Sequence, residues 1–355
     1  MRRLCWALWV CALSSVVGCS SPGEEENIGS CEFSRTEFPG DCLALTKPSA
    51  DRGIQIHYGP KSYSKADMAP FILQPGEERV DVQYTVSEND QPIQFSAYQQ
   101  RMRPGAHHMI VSTGDGDYEG LVEQDLPPLT METLLGAQAG SIDVPAPGMP
   151  LAEEDKGLAF AMGGSRQLAL NAHFINTTSK PILREAWFNL YYADPAQVTT
   201  LAAPMFLIGG FAMAVQPHTT ALLKNSTTVE QDLRIVWAFG HFHTHTTRLT
   251  AYKVSASTGE RTLIYETYDY LDPLYVGYNS LIQIPQPDRE NKISGGYSGI
   301  LEFKQGDQVE WECEVVNDDE FVINFANQLF TSEMCGFFGL YAPSAEGKTW
   351  RVVSP

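Results

Sequence analysis

Short alternating segments, broken every few residues by Gly, Pro, Asn or Asp, limit this chain more than any other feature. Arg79-Val80-Asp81-Val82-Gln83-Tyr84-Thr85-Val86 is the cleanest of them, and Ile54 to Tyr58 and Ile93 to Tyr98 read the same way. Successive strand residues point to opposite faces, so runs of this kind build half-buried sheets. Breaks such as Gln74-Pro75-Gly76 and Glu88-Asn89-Asp90 separate them, and helical periodicity is scarce. Residues 114–165 are looser, with Gly114-Asp115-Gly116-Asp117 and a proline-rich stretch from Val144 to Pro150, the pattern of a long functional loop inside a β domain. Strand character returns at Gln167 to Phe174 and Ala186 to Pro195. It continues at Leu233 to Phe239, Arg248 to Val254, Thr262 to Tyr268, Gln308 to Val316 and Gly336 to Ala342. The expectation is an all-β protein of two tandem antiparallel β-sandwich, jelly-roll-like domains. They span 51–197 and 198–355, with a boundary between Pro195 and about Thr200, and 355 residues suffice for two such domains.

The start of the chain reads as an export signal. Arg2 and Arg3 precede an apolar run from Leu4 to Val17 that is short for a membrane span. Val16-Val17-Gly18-Cys19-Ser20 resembles a bacterial lipobox, with 1–18 as the lipoprotein signal peptide and Cys19 as the lipidation site. The protein is then expected to be exported and lipid-anchored to a bacterial membrane, facing the periplasm or the cell surface. Residues 19–50, with Glu24-Glu25-Glu26, read as a tether with a small disulfide loop. A formal charge of -19 argues against nucleic acid and anionic membrane surfaces as electrostatic partners, so the lipid anchor is the only membrane contact expected. Of seven cysteines, Cys5 and Cys11 leave with the signal and Cys19 carries lipid. Cys31, Cys42, Cys313 and Cys335 remain, an even number suited to an oxidising compartment. Three pairings are open, and proximity in sequence favours Cys31–Cys42 and Cys313–Cys335.

Six of the eight histidines fall in three places. In Gly240-His241-Phe242-His243-Thr244-His245, an extended strand projects His241 and His243 to one face, half of a transition-metal site; the alternative is a solvated His/Thr-rich turn. His107 and His108, in Arg103-Pro104-Gly105-Ala106-His107-His108-Met109, are adjacent. They can share a metal only where the backbone is bulged or twisted, which the preceding Pro-Gly favours. His173 stands alone on the strand Leu168 to Phe174, where a hydrogen-bonded structural role is the ordinary reading. Met334, in Ser332-Glu333-Met334-Cys335, would ordinarily be core filler. His57 and His218 have no partners in the pattern and read as structural or surface residues.

Taken together in this order, His107-His108-Met109, His173, His241/His243 and Glu333-Met334-Cys335 resemble the copper type II monooxygenases, the group of peptidylglycine α-hydroxylating and dopamine β-monooxygenases, from Gln74 onward. The resemblance implies two copper sites on two β-sandwich domains, facing each other across a solvent-filled cleft. His107, His108 and His173 would hold the electron-transfer copper; His241, His243 and Met334 would hold the copper that binds dioxygen. Cys313–Cys335 matches a disulfide of the family, whereas Cys31–Cys42 lies outside its pattern. His243-Thr244-His245 reads as in the animal enzymes, but the spacing onward to Ala251-Tyr252-Lys253-Val254 aligns without gaps only for His241 and His243. His245 would share their strand face if the strand continued, and would then be a supporting group.

All six ligands are neutral and one is a thioether, a set that favours Cu(I) and argues against zinc hydrolysis. The implied activity is hydroxylation of a C–H bond of a small, rather apolar organic substrate, with O2 and an external one-electron reductant such as ascorbate. A non-catalytic copper-binding lipoprotein for storage, delivery or sensing is the alternative. Where the peptide-amidating relatives place an arginine, an asparagine and a tyrosine to grip a carboxylate, this chain has Phe239, Gly336 and Phe338. Peptidylglycine is therefore not the expected substrate.

Overall fold

The structure, a computed structural model, describes residues 36–124, 127–128, 131–138, 140–145, 151, 153–271, 273–276, 283–344 and 349–353. The expected signal peptide, the lipidation site Cys19 and Cys31 lie outside the described residues. Within them the chain is nearly all strand, with one short α-helix, Lys65–Met68, capped by Ser64, whose hydroxyl accepts the Asp67 amide.

In the first half, a five-stranded antiparallel sheet runs in the order Gly120–Val122, Glu78–Val86, Gln167–Ile175, Ala106–Gly114, Glu132–Gln138. In the second half, another five-stranded sheet runs Thr219–Thr228, Gln308–Asn317, Thr246–Val254, Arg261–Thr267, Gly295–Gly296. A ten-stranded sheet serves both halves. Its first-half members are Gly53–Tyr58, Ala186–Tyr192, Ile93–Met102, Ser141–Val144 and Leu158–Met162; its second-half members are Thr200–Gly209, Cys335–Ala342, Leu233–Phe242, Leu301–Phe303 and Trp350–Val353. The two sets meet where Leu158–Met162 pairs in parallel with Thr200–Gly209, Thr200 opposite Leu158 and Ala202 opposite Phe160. A continuous sheet thus passes through the expected boundary near residues 197 and 198.

Alternation explains where the core lies. On Gln167–Ile175, Leu168, Leu170, Ala172 and Phe174 enter the first core, while Asn171 and His173 are also buried on the opposite face. A strand buried on both faces needs cover on both, and the second half provides it. Cys335–Ala342 is likewise buried throughout: Cys335 and Phe337 join the second core, while Phe338 and Leu340 join the first. Trp237, Phe239 and Met334 also belong to that first cluster, beside Met109, Val111 and Leu135. Apolar contact therefore runs unbroken from one half to the other, where the resemblance implied a solvent-filled cleft. The physical reason is that the second half presents apolar rings there: Phe239 and Phe338 are buried in one cluster with Met109, Val111 and Leu135 of the first half.

Cys313 and Cys335 form a disulfide with a sequence separation of 22, tying the second half's five-stranded sheet to the ten-stranded one. Cys42 is also disulfide-bonded. Its neighbour Asp41 accepts from the buried Arg103 guanidinium at 2.7 Å, which fastens the segment before the first strand to the sandwich. Closing a loop of this length at Cys313–Cys335 is worth about 3 kcal/mol in the chain-entropy account. We expect the double variant Cys313→Ala/Cys335→Ala to lose about that much in equilibrium denaturation, with the metal-free fold otherwise retained.

Candidate metal centre

The adjacent histidines of the first half are brought together by a bulge. Along the pairing of Gln167–Ile175 with Ala106–Gly114, His173 lies opposite His108 but Phe174 lies opposite Ala106, so His107 is the extra residue. A bulged residue leaves the strict alternation, which lets neighbours in sequence turn to one face. The preceding turn requires Gly105, at φ 91°, whose missing Cβ would meet Ile182 and the Ile175 carbonyl oxygen. The three rings end up 5.1 to 5.4 Å apart, centroid to centroid.

On the second half, the strand Leu233–Phe242 presents His241 and ends one residue before His243. Opposite it, His241 pairs with Gly336 and Phe242 with Cys335, where the ladder ends. Met334, the residue before Cys335, is buried in the first apolar cluster with Phe239 and Phe338. The chain then turns sharply, the Thr246 amide bonding the His243 carbonyl oxygen. This turn separates His245 from the pair: it bonds Asp319 at 2.9 Å and meets the Phe321 ring instead. The strand does not continue to His245, so the condition for its sharing the face of His241 and His243 is not met. His57 bonds Glu185 and stacks on Trp187, and His218 is exposed beside Glu320, both away from the cluster.

Glu333 holds the turn. Its buried carboxylate accepts the amides of His243, His245, Thr246 and Met334. Burial pushes its pKa up to about 7, against these donors, which favour the ionised form.

The two halves bring five imidazoles into one cluster. His107 lies 5.2 Å from His241 and 5.4 Å from His243, and His108 lies 5.1 Å from His241, ring to ring. Among the described residues, His107, His108 and His173 form one group of three whose ligand atoms lie within 4.8 Å of one another, and His107, His241 and His243 form another. The first expected set is therefore adjacent to the His241/His243 pair, and His107 groups with both.

Four of the rings are gripped through one nitrogen. His108 Nε2 bonds Asn171 Oδ1 at 3.3 Å, and His173 Nε2 donates to Glu78 Oε1 at 2.7 Å. His241 Nδ1 donates to Gln138 Oε1 at 2.8 Å, and His243 Nδ1 to the Ser332 carbonyl oxygen at 3.3 Å. The Gln138 amide is oriented by its own donation to the Tyr270 carbonyl oxygen. On the inner side, His108 Nδ1, His173 Nδ1, His243 Nε2 and both nitrogens of His107 are buried with no hydrogen-bond partner. Each such atom costs about 1–3 kcal/mol, and rings held by one nitrogen with the other free are the arrangement of metal-ligating histidine. Desolvation also pushes His108, His173 and His243 down to about 3, and His107 and His241 well below the ordinary histidine range. They are neutral, the form that ligates. The residues therefore fit a transition metal.

Beside His241 lies an apolar pocket of about 30 Å³, bounded by Ile110, Leu135, Phe206, Trp237, Phe239 and Phe338. The Phe338 ring stacks on His241 at 5.4 Å and on Phe206 at 4.4 Å. Gly336 leaves room for Phe338, since a Cβ there would strike its ring. Glu78, Gln138 and Asn171 were not evident as site residues from the sequence. Asn171 has the same strand parity as His173, a signal that could have found it; Glu78 and Gln138 reach their histidines through long-range packing that no local pattern records.

No family model and no curated protein matches the chain. Among solved structures, one described as PNGF-II is similar at 8% identity with a TM-score of 0.28. That match covers 82% of this chain, and this chain spans 65% of the PNGF-II chain.

Histidines of the unfolded chain take up protons near pH 6.5, whereas His108, His173 and His243 do so at about 3 in the fold. Between these values the unfolded state binds more protons, so stability falls as pH is lowered through that window. We expect metal-free protein to lose stability progressively from about pH 6.5 downward, checked by urea midpoints across that range. A His107→Phe/His173→Phe variant should show a shallower dependence.

Proposed function

We propose that this protein is a copper-dependent monooxygenase that hydroxylates a C–H bond of a small, rather apolar organic substrate, using O2 and an external one-electron reductant such as ascorbate. The observation that carries this reading is the buried cluster of neutral imidazoles whose free nitrogens point inward, drawn from both halves of the molecule. Three imidazoles alone suit copper, zinc, nickel or iron. Met334, buried just beyond the end of the ladder that carries His241, would add a thioether and turn the choice toward copper, in keeping with the family resemblance in the order of its motifs. His107, His108 and His173 would hold one copper, and His241, His243 and Met334 the other.

Bound copper would supply the activation of dioxygen and the passage of single electrons. The chain's own residues do the rest. Gln138 and Glu333 fix the direction of His241 and the position of His243 and Met334, so the ligand set is arranged before metal arrives. Phe239, Phe338, Trp237 and Leu135 exclude water from the side of His241. With aromatic rings where a carboxylate clamp would stand, the pocket selects an uncharged substrate. Attachment to the membrane through Cys19 belongs to the same proposal.

The small size of the pocket favours one second reading, a protein that holds copper without turnover. About 30 Å³ has room for roughly two waters and no organic substrate, so turnover requires the halves to part at this point. We expect the purified protein to bind about two coppers, as the two sets of three ligands imply, and to consume O2 with ascorbate once a substrate is supplied. Met334→Ala should cut turnover at least about 100-fold while leaving one copper bound. Copper binding with no oxygen incorporated into any apolar candidate would favour the second reading, and absence of copper binding would refute both.

A further inference from the structure

The Glu78 side chain grips both a ligand of the first set and the segment that carries the second. It opens the strand Glu78–Val86, across from Ile175 and two residues from the position opposite His173. A single oxygen, Oε1, accepts from His173 Nε2 at 2.7 Å and from the Leu329 amide at 2.6 Å. Leu329 is buried, and its carbonyl oxygen accepts the Thr244 hydroxyl at 2.8 Å, between His243 and His245. Four residues after Leu329 comes Glu333, which holds His243 and Met334. A continuous run of contacts thus leads from His173 through Glu78 and Leu329 to the turn of the second set.

From this geometry we infer that Glu78 is a positioning residue that couples the two ligand sets of the proposed copper centre, a role that rests on the function proposed above. It acts in two ways through the same oxygen. A carboxylate only accepts, so it keeps the His173 proton on Nε2 and leaves Nδ1 free toward the metal. It also docks the Leu329 segment on the first half's sheet, which brings His243 beside His107 and His173. A group with that double reach sets the separation of the two ligand sets, whereas a residue serving only His173 would set the basicity of one ring.

The test uses Glu78→Ala, Glu78→Asp and Glu78→Gln in the full chain. Glu78→Gln keeps an Oε1 acceptor, Glu78→Asp is one methylene too short to serve both donors, and Glu78→Ala serves neither. In metal-free protein, hydrogen exchange at Leu329 should quicken about 10-fold or more in Glu78→Ala and Glu78→Asp, as for loss of a buried charged hydrogen bond. Glu78→Gln should stay near the parent. Nitrogen-15 shifts of His173 should report a single Nε2–H tautomer in the parent and Glu78→Gln, and a mixture in Glu78→Ala. With copper added, affinity at the His107/His108/His173 set should fall about 10- to 100-fold in Glu78→Ala, and the Cu(II) spectrum assigned to His241/His243 should change too. Unchanged Leu329 exchange and an unchanged His173 tautomer in both Glu78→Ala and Glu78→Asp overturn the assignment, as does a Cu(II) spectrum altered at the first set alone. Should the parent bind no copper, the proposed function fails by itself, and the two metal-free measurements still decide the role of Glu78.

Discussion

Removing five imidazoles from water is the constraint on which the rest of this structure turns. Each ring carries two nitrogens that water would satisfy, and burial leaves the protein to provide for both. Outward nitrogens meet Asn171, Glu78, Gln138 and a main-chain carbonyl oxygen; inward nitrogens of His107, His108, His173 and His243 meet nothing within the chain. Such a deficit is tolerated where a ligand offsets it. The arrangement also explains why strands that carry the histidines are buried on both faces. A solvated cluster would protonate and repel itself near neutral pH, while a desolvated one stays uncharged and can converge.

Local irregularity is what makes convergence possible on a sheet. Regular pleating would send His107 and His108 to opposite faces, and a regular strand running on from Phe242 would send His245 after His243. A bulge repairs the first problem and a tight turn resolves the second, and each is held by specific groups: Gly105 at the bulge, the Glu333 carboxylate at the turn. Glu333 replaces, for four amides at once, the ladder partners that the strand no longer offers. In sheet proteins, sites of this kind arise where the ladder is interrupted and something else satisfies the backbone.

The fold was largely legible in the sequence because period-two alternation is a local signal; Arg79 to Val86 and Gln167 to Phe174 lie close to the observed strands. The pairing of His241 with His243, the need for distortion at His107, and the Cys313–Cys335 bond were legible for the same reason: each depends on neighbours in sequence or on strand parity. What lay out of reach was relative placement. Nothing local says that Leu158–Met162 pairs with Thr200–Gly209, that the first and second sets of histidines touch, or that Gln138 and Glu78 bond residues over a hundred or ninety positions away. Separation of the two sets across a cleft was what the family resemblance implied, and the ring contacts of His107 and His108 with His241 are what differ from it.

The parallel pairing at Thr200–Gly209 has a consequence for how the molecule comes to exist. That strand lies between Leu158–Met162 and Cys335–Ala342, and Trp350–Val353 also pairs with it in parallel. Its neighbours are therefore drawn from distant parts of the chain, and the loop-closure entropy of each pairing is met before the contacts repay it. The histidine cluster straddles the two halves, so His107 meets His241 and His243 only in the whole molecule: either half alone holds part of the five-ring cluster.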